Sequence, residues 1–531
     1  MARRWRTAIG SGSIAIGMAL GGPADAQKSG GTLRIYSPDS PASMSSHEEA
    51  TVFATGPMMG VFNNLVLFDQ HAKQNSLESL KPELATSWAW SSDGKALTFQ
   101  LRQGVRWHDG QPFTAKDVEC TWNYVIEKSE QKLRINPRVS FFKNLERIEP
   151  RGEHEVTFHL KEPQPAFMML LGGGSAPVYP CHVSPDVMRR KPVGTGPFKF
   201  VDYRPNQFIQ VERNRDYWKP DRPYLDGIEW TIMRSAGTAI LAFTAGNVDL
   251  TFPTVLNIAQ MKDLKKQMPT ALCAEMPGTN NRNVIINQAV PPFDKLEVRQ
   301  AIALAIDRKA FIDIIAEGQG EVGAVLQPQP AGLWGLSPEL LKELPGYDAD
   351  VQKNRRQARA LMEKLGYGPQ NRLKFKLMAR DLAFYRDPAV ILIDQLKEVH
   401  FDAELEVVET AAYFPKLRRK DFAVGLNLQP SGPDPDLVLD AFYGCGSNLN
   451  WDGYCNAEID KLIVAQSREG DATKRRQIHW QIEKRLADEA SRPIIFYPKT
   501  GTCWHPHVKG FTLQVNSIFN QYRYEDIWLD K

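Results

Sequence analysis

Four clusters in the sequence bring together side chains able to do chemistry. His505-Pro506-His507 sets two imidazoles near Cys503, a donor set suited to zinc. No carboxylate stands close in sequence, and His-Pro-His reads as a rigid surface turn. Asp434 and Asp436 have the spacing of an acid–base pair, but the prolines around them make the segment a loop cap. Gly173-Gly174-Ser175-Ala176-Pro177 lacks the last glycine of a nucleophile elbow. Gly318-Gln319-Gly320-Glu321-Val322-Gly323 satisfies G-x-G-x-x-G, yet it follows a helix rather than a strand, so the dinucleotide-binding context is missing. Neither H-E-x-x-H nor C-x-x-C occurs. The expectation is a binding protein with no catalytic residues, no metal and no cofactor. A triad assembled by geometry alone keeps a secreted hydrolase as the alternative.

The elements that position any site belong to a chain of 531 residues, too long for one core, so two or three domains are expected. Apolar residues at 42% and charged residues at 24% are ordinary for a soluble globular protein. A net charge of +3 lacks the concentrated basicity of a nucleic-acid binder. No apolar run reaches the roughly 18–20 residues a spanning helix needs.

Arg3, Arg4 and Arg6 precede an apolar, glycine-rich run, and Ala24-Asp25-Ala26 supplies an A-x-A cleavage site. Residues 1–26 therefore read as a secretory signal peptide, with the mature chain starting at Gln27 in the periplasm. Trp5-Arg6-Thr7 lacks the apolar pair that follows twin arginines in export signals of that type. No cysteine lies near the cleavage site to carry a lipid. The leader holds three arginines and one aspartate, so the mature chain is nearly neutral and steering by net charge has no part in its function. Six cysteines in an oxidising compartment permit disulfides. Cys445 and Cys455, which would close GCGSNLNWDGYC, are the local candidate pair; Cys120, inside a predicted helix, reads as a free buried thiol.

Periodicity supplies the framework. Leu97, Phe99 and Leu101 alternate with Thr98, Gln100 and Arg102, the pattern of a half-buried strand. Asp93-Gly94 makes a hairpin turn before it, with Trp88 and Trp90 on the incoming arm. Thr114 and Asp117 then open a helix over 115–126. From Arg355 onward helix and strand alternate, with strands at 373–378, 403–408 and 422–428 and helices at 389–399 and 412–419. Strands joined by such crossover helices pack in parallel, covered on both faces. Helices at 457–468 and 473–491 lead to a strand at 494–497.

The order of the first unit is particular: hairpin, LRQGVRWHDGQP, then TAKDV opening a helix. Later come GTGPF at 194–198, AGNVDL at 245–250 and PPFDKLEVRQAIALAIDRKAFI after Asn287. Together they resemble the family 5 bacterial extracellular solute-binding proteins, which include dipeptide- and oligopeptide-binding proteins of ABC importers. The resemblance covers nearly the whole mature chain. It implies an α/β, two-lobed periplasmic binding protein fold of type II with three domains (cluster C-like), built on mixed sheets with crossover helices. Domain I of the first lobe would comprise 27–60, 192–283 and 500–531. A smaller domain II of the same lobe would span 61–191, and domain III, the second lobe, 284–499. The implied function is capture of a peptide-like or carboxylate-bearing small solute between closing lobes by a monomer. Delivery would be to an ABC permease with its ATP-binding subunits. A periplasmic chaperone or sensor partner is a further alternative.

The resemblance also carries site residues. In peptide-binding relatives an aspartate just before the Asp-Pro-Asp-like segment pairs with the peptide's free amine. Here that position is Ser431, preceded by Gln429 and Pro430. Serine has no charge to neutralise an ammonium, which points to a solute lacking a free α-amine. Some dipeptide-binding relatives place an arginine against the ligand carboxylate in the loop after a strand matching 373–378. Arg380 fits that loop, and Arg386 is the less well aligned alternative. Arginine suits a carboxylate because its planar fork donates two parallel charge-assisted bonds. Tyr36, Ser37, Ser46, His47, Asn280, Asn281 and Trp334 stand where loops of both lobes should meet, Trp334 offering a stacking surface. His108 and Asp109, beside Gly110, read as turn residues rather than catalytic ones.

Overall fold

A computed structural model describes residues 27–531; the signal peptide read at 1–26 lies outside them. One twelve-stranded sheet runs through the protein. At one side Thr32–Ser37 pairs in parallel with Gly227–Ile232 and Leu250–Thr251, and the antiparallel strands Phe208–Arg213 and Phe198–Arg204 extend that edge. At the other side Leu373–Arg380 lies between Phe401–Val408 and Val424–Pro430, parallel to both. The helices Ala383–Lys397 and Thr410–Arg418 make the crossovers that the alternation predicts. These two sides form the two lobes of a mixed α/β fold.

The strand Ile494–Trp504 and the connection through Gly278 between Leu272–Pro277 and Asn280–Ile286 join the lobes. Ile494–Trp504 pairs with Asn280–Ile286 at its beginning and with Leu272–Pro277 at its end. The sequence pattern breaks at Pro498, Lys499 and Gly501, which is why the strand is predicted to stop at 497. In the structure it continues, because the interruption is where one partner strand hands over to the other. Gly278 sits at that crossing, and a Cβ there would come within 2.1 Å of the Pro498 carbonyl oxygen. The close approach of two backbones excludes any side chain.

A separate four-stranded antiparallel sheet, Ala85–Trp90, Ala96–Leu101, Glu155–Leu160 and Leu145–Arg151, belongs to the first lobe. Leu97, Phe99 and Leu101 point into its core, where Phe158 packs edge-on against Trp122 of the helix Ala115–Val125. That helix begins at Thr114, whose backbone N–H donates to Asp117 at 2.9 Å. The GTGPF turn docks against this unit. Gly194 N–H donates to His108 Nδ1 at 3.2 Å, and His108 Nε2 bonds the Gly196 carbonyl at 3.0 Å. Burial lowers the His108 pKa to about 4, which keeps the ring neutral and lets Nδ1 accept. His108 is thus a structural tie.

The structure contains the disulfides Cys120–Cys181, Cys273–Cys503 and Cys445–Cys455. Cys120 is therefore not the free thiol expected of it. Asp117, one helical turn earlier, accepts the backbone N–H of Cys181 at 2.8 Å and holds that loop beside Cys120.

The C-terminal tail returns to the first lobe and is fixed there by Arg523. Its guanidinium donates to Glu83 at 2.9 Å, with both side chains fully buried. Glu83 also accepts from Asn63 Nδ2 at 2.6 Å and from the Asn64 backbone at 2.8 Å. Glu83→Gln keeps the packing but strands the buried guanidinium, so it should destabilise the protein by about 3–5 kcal/mol in urea unfolding.

Candidate functional site

Between the lobes lies a cavity of about 290 Å³. Its walls come from the loops after Thr32–Ser37 and Leu250–Thr251, the lobe-crossing strands, and the start of the helix Ala383–Lys397. Aromatic and aliphatic groups make up most of the lining. Among the described residues the lining includes five cationic side chains, Arg138, Arg234, Arg282, Arg380 and Lys499, and one carboxylate, Asp387. Arg234, Arg380 and Lys499 pair with Glu409, Asp39 and Glu275 behind the lining.

Strand pleating sorts the residues singled out in the sequence. Tyr36, Asn280, Pro430 and Arg380 line the cavity. Asn281, next to Asn280, points to the opposite face and donates to Tyr497 Oη at 3.1 Å. Gln429, next to Pro430, is buried and accepts from Tyr443 and Arg492 at 3.0 Å each. Ser37 bonds the Asp39 carbonyl at 3.3 Å. Ser46 is buried and gives its carbonyl to Arg138. His47 is buried against Tyr179, its Nε2 held by the Pro177 carbonyl at 2.8 Å. Arg386 stays at the surface, paired with Asp381 at 2.9 Å. None of these six side chains meets the cavity.

Ser431 and Trp334 share a separate pocket of only about 20 Å³. Ser431 Oγ accepts the Gln327 backbone N–H at 2.8 Å, and Trp334 packs on His479 and on the Arg475 guanidinium. The loop that carries Trp334 is held by Glu483, which accepts backbone N–H groups from Leu326 at 2.7 Å and Leu336 at 3.2 Å. The other motifs are likewise committed. Asp434 is chelated by Arg475 at 2.7 and 2.8 Å, while Asp436 accepts from Gln466 and from Gln164 of the other lobe. His507 bonds Asp249 and His505 bonds the Phe243 carbonyl.

Arg380 ends its strand instead of following it, and is only 3% exposed. Its guanidinium pairs with Asp39 of the first lobe, while its Nε donates to Thr410 at 2.8 Å and its Nη2 to Thr51 at 3.2 Å. Thr410 in turn donates to Asp39. Burial pulls the Arg380 pKa down, but the Asp39 carboxylate and Tyr385 together more than reverse this. The arrangement is a latch across the lobes. Arg234 with Glu409 at 3.3 Å, Ser140 with Asn448 at 2.7 Å and Lys143 with Asp440 at 3.1 Å join the lobes at other points. The lobes are closed.

Arg282, which sequence reasoning passed over, also faces the cavity. It lies two residues after Asn280 on the same pleat face of Asn280–Ile286 and is 8% exposed. Among the described residues it has no carboxylate partner, and burial lowers its pKa to about 10. In NNRNVII a lone arginine between asparagines looks like a solvated strand end. Only the second lobe's sheet and the helix Ala383–Lys397 bury it.

The sequence profile of the bacterial extracellular solute-binding proteins, family 5 (middle region), matches residues 79–450. The chain is 28% identical over 457 residues to di/tripeptide-binding protein 1 of Pseudomonas aeruginosa, covering 81% of this chain and 82% of that protein. In structure it is similar to the periplasmic binding protein DppA of Helicobacter pylori in complex with the peptide STSA. The TM-score is 0.82 at 23% identity, covering 95% and 99% of the two chains. It is equally similar to AgaA of A. tumefaciens R10 in complex with agropinic acid, with TM-score 0.82 at 22% identity over 94% and 99% of the chains.

Two expectations follow from this geometry. Asp39→Asn removes the carboxylate that makes closure compatible with burying Arg380, so the solute-free variant should shift toward an open form. Small-angle scattering would detect the larger radius of gyration; unchanged scattering would show that the other contacts suffice. Burial pushes the Glu483 carboxyl up to about 8 from its ordinary 4.5. Between those values the folded chain holds a proton that the unfolded chain has lost, so this residue's contribution to stability falls as pH rises. The stability gap between wild type and Glu483→Gln in urea unfolding should therefore narrow from about pH 5 to about pH 8.

Proposed function

We propose that this chain, which belongs to the bacterial extracellular solute-binding proteins, family 5, is the periplasmic solute-binding component of an ABC importer. It captures a small carboxylate-bearing organic solute without covalent chemistry and delivers it to a membrane permease served by ATP-binding subunits. The lobes in this reading divide as 27–283 with 500–531 against 284–499, residues 61–191 forming the smaller domain of the first. The observation that carries the reading is that two of the cationic side chains lining the interlobe cavity, Arg138 and Arg282, have no carboxylate partner among the described residues, whereas Arg234, Arg380 and Lys499 are paired with Glu409, Asp39 and Glu275. A closed cleft lined by such unpaired cations favours an anion, because an unpaired buried charge is costly.

Two features weigh against a free peptide amine as the recognised group. Ser431 has its hydroxyl engaged by Gln327 and lines another pocket. Asp39, a buried acid next to the lining residue Pro38, is claimed by Arg380 and Thr410.

Mass spectrometry of small molecules released on denaturing the purified protein should find a carboxylate-bearing solute. Adding that solute back at about a hundredfold excess over its Kd should stabilise the fold by about 2.7 kcal/mol. The solute should be recovered unchanged. Its chemical turnover would favour a hydrolase instead.

A further inference from the structure

The buried arginines of this protein differ in how fully their donors are used. A guanidinium has five N–H donors and no acceptor. Arg380, Arg475, Arg492 and Arg523 each meet a carboxylate. Arg138 has no such partner, but it donates to the Ser46 and Glu49 carbonyls at 3.1 and 2.7 Å and so ties down the loop between them. Arg282 has much less. Its one protein hydrogen bond among the described residues runs from Nη1 to the Asn280 carbonyl at 3.2 Å. Its Nε is buried without a partner among the described residues, as are those of Arg138, Arg299 and Arg523, so the single hydrogen bond of its terminal nitrogens is what sets Arg282 apart.

The surroundings of Arg282 are complementary to a ligand rather than to the protein itself. Asn280 precedes it on the same face and its side-chain amide makes no hydrogen bond among the described residues, with Oδ1 buried. The Phe384 ring centroid stands 5.8 Å from the Arg282 guanidinium carbon, and Phe414 and Trp451 continue the apolar wall of the same cavity. Asp387, the one lining carboxylate among the described residues, is exposed on the helix Ala383–Lys397 and forms no ion pair with Arg282.

We propose that Arg282, assisted by the Asn280 amide, is the anchor for the carboxylate of an amphiphilic organic acid whose apolar body lies along Phe384, Phe414 and Trp451. This rests on the solute-capture reading above and sharpens it. The carboxylate replaces the water that the spare N–H donors lose on closure, through the terminal nitrogens: Nη2 has no protein hydrogen bond among the described residues and Nη1 has only the Asn280 carbonyl, whereas Nε is shielded from the cavity. Arg380 is less suited to this purpose in the closed form, because its charge is already matched by Asp39 and its Nε and Nη2 donate to Thr410, Asp39 and Thr51. A free α-amine adds nothing to recognition at this anchor.

The test compares three probes by calorimetry on the full mature protein: N-acetyl-leucyl-leucine, its C-terminal amide, and free leucyl-leucine. Wild type should prefer the acetylated acid over the amide by about tenfold or more, as expected for losing a charge-assisted contact. Acetylation itself should change affinity by less than about threefold. Arg282→Gln should abolish the preference for acid over amide, while Arg282→Lys, which keeps the charge but not the fork, should retain part of it. The solute-free Tm of Arg282→Gln should equal or exceed that of wild type, since the variant removes a buried charge without a partner. Equal wild-type affinity for acid and amide, a preference that survives Arg282→Gln, a large loss of Tm in that variant, or no binding of any probe would each overturn the proposal. A carboxylate-free solute released from the purified protein would do the same while leaving solute capture intact. Release of no solute together with no binding would remove both readings.

Discussion

A guanidinium taken out of water must find an anion or remain a cost, and most of this molecule's long-range architecture answers that constraint. Arg523 with Glu83 fixes the returning tail to the first lobe. Arg492 with Asp452, both fully buried, ties the lobe-crossing strand to the loop before the helix Ala457–Arg468. Arg475 clamps Asp434 and Asp436 and so shapes the turn between Val424–Pro430 and the following short helices. These three pairs lie within a lobe. The Arg380–Asp39 pair is different, because its partners belong to different lobes and meet only on closure. Charge pairing therefore does two jobs here: it builds each lobe, and it joins them.

The parts of the fold legible in the sequence are those whose signals are local. The hairpin at Asp93-Gly94, the cap at Thr114 and Asp117, and the alternating helices and strands after Arg355 each declare themselves within a dozen residues. Ile494–Trp504 did not, since its second half is held by a partner strand that lies more than two hundred residues earlier and not by its own pattern. The cavity was harder still. Asn280 and Asn281 are neighbours of the same type, yet pleating sends one to the cavity and the other to Tyr497. Ser431 and Trp334 sit in segments that belong near a cleft, and close backbone contacts turn them into a different pocket. Arg380 and Asp39 are 341 residues apart, so no spacing rule could pair them.

The connection between the lobes sets the way the cleft works. Asn280–Ile286 contributes lining residues at its start and core residues at its end, and it hydrogen-bonds the lobe-crossing strand. A change in lobe angle is therefore felt at Asn280 and Arg282 with little intervening structure. The glycine at 278, pressed against the Pro498 carbonyl, keeps the two backbones close enough to bend together. Rigid elements on either side of a narrow crossing are what a hinge requires, and loops alone would give a looser one.

Closure and recognition are then separable in energy. A solute can shift an open–closed equilibrium only by the difference in its affinity for the two forms. The Arg380–Asp39 latch contributes to closure with or without solute, because the charges of the two groups are matched by each other. It biases the equilibrium but cannot report on what the cleft contains. Arg282 behaves in the opposite way. In the open form water can satisfy its donors; in the closed form without an anion it is left buried with one hydrogen bond. Its state makes closure unfavourable until an anion arrives, and the anion is bound more tightly closed than open for the same reason. One arginine carries the bias and another carries the selectivity, and the two stand on strands of the same sheet.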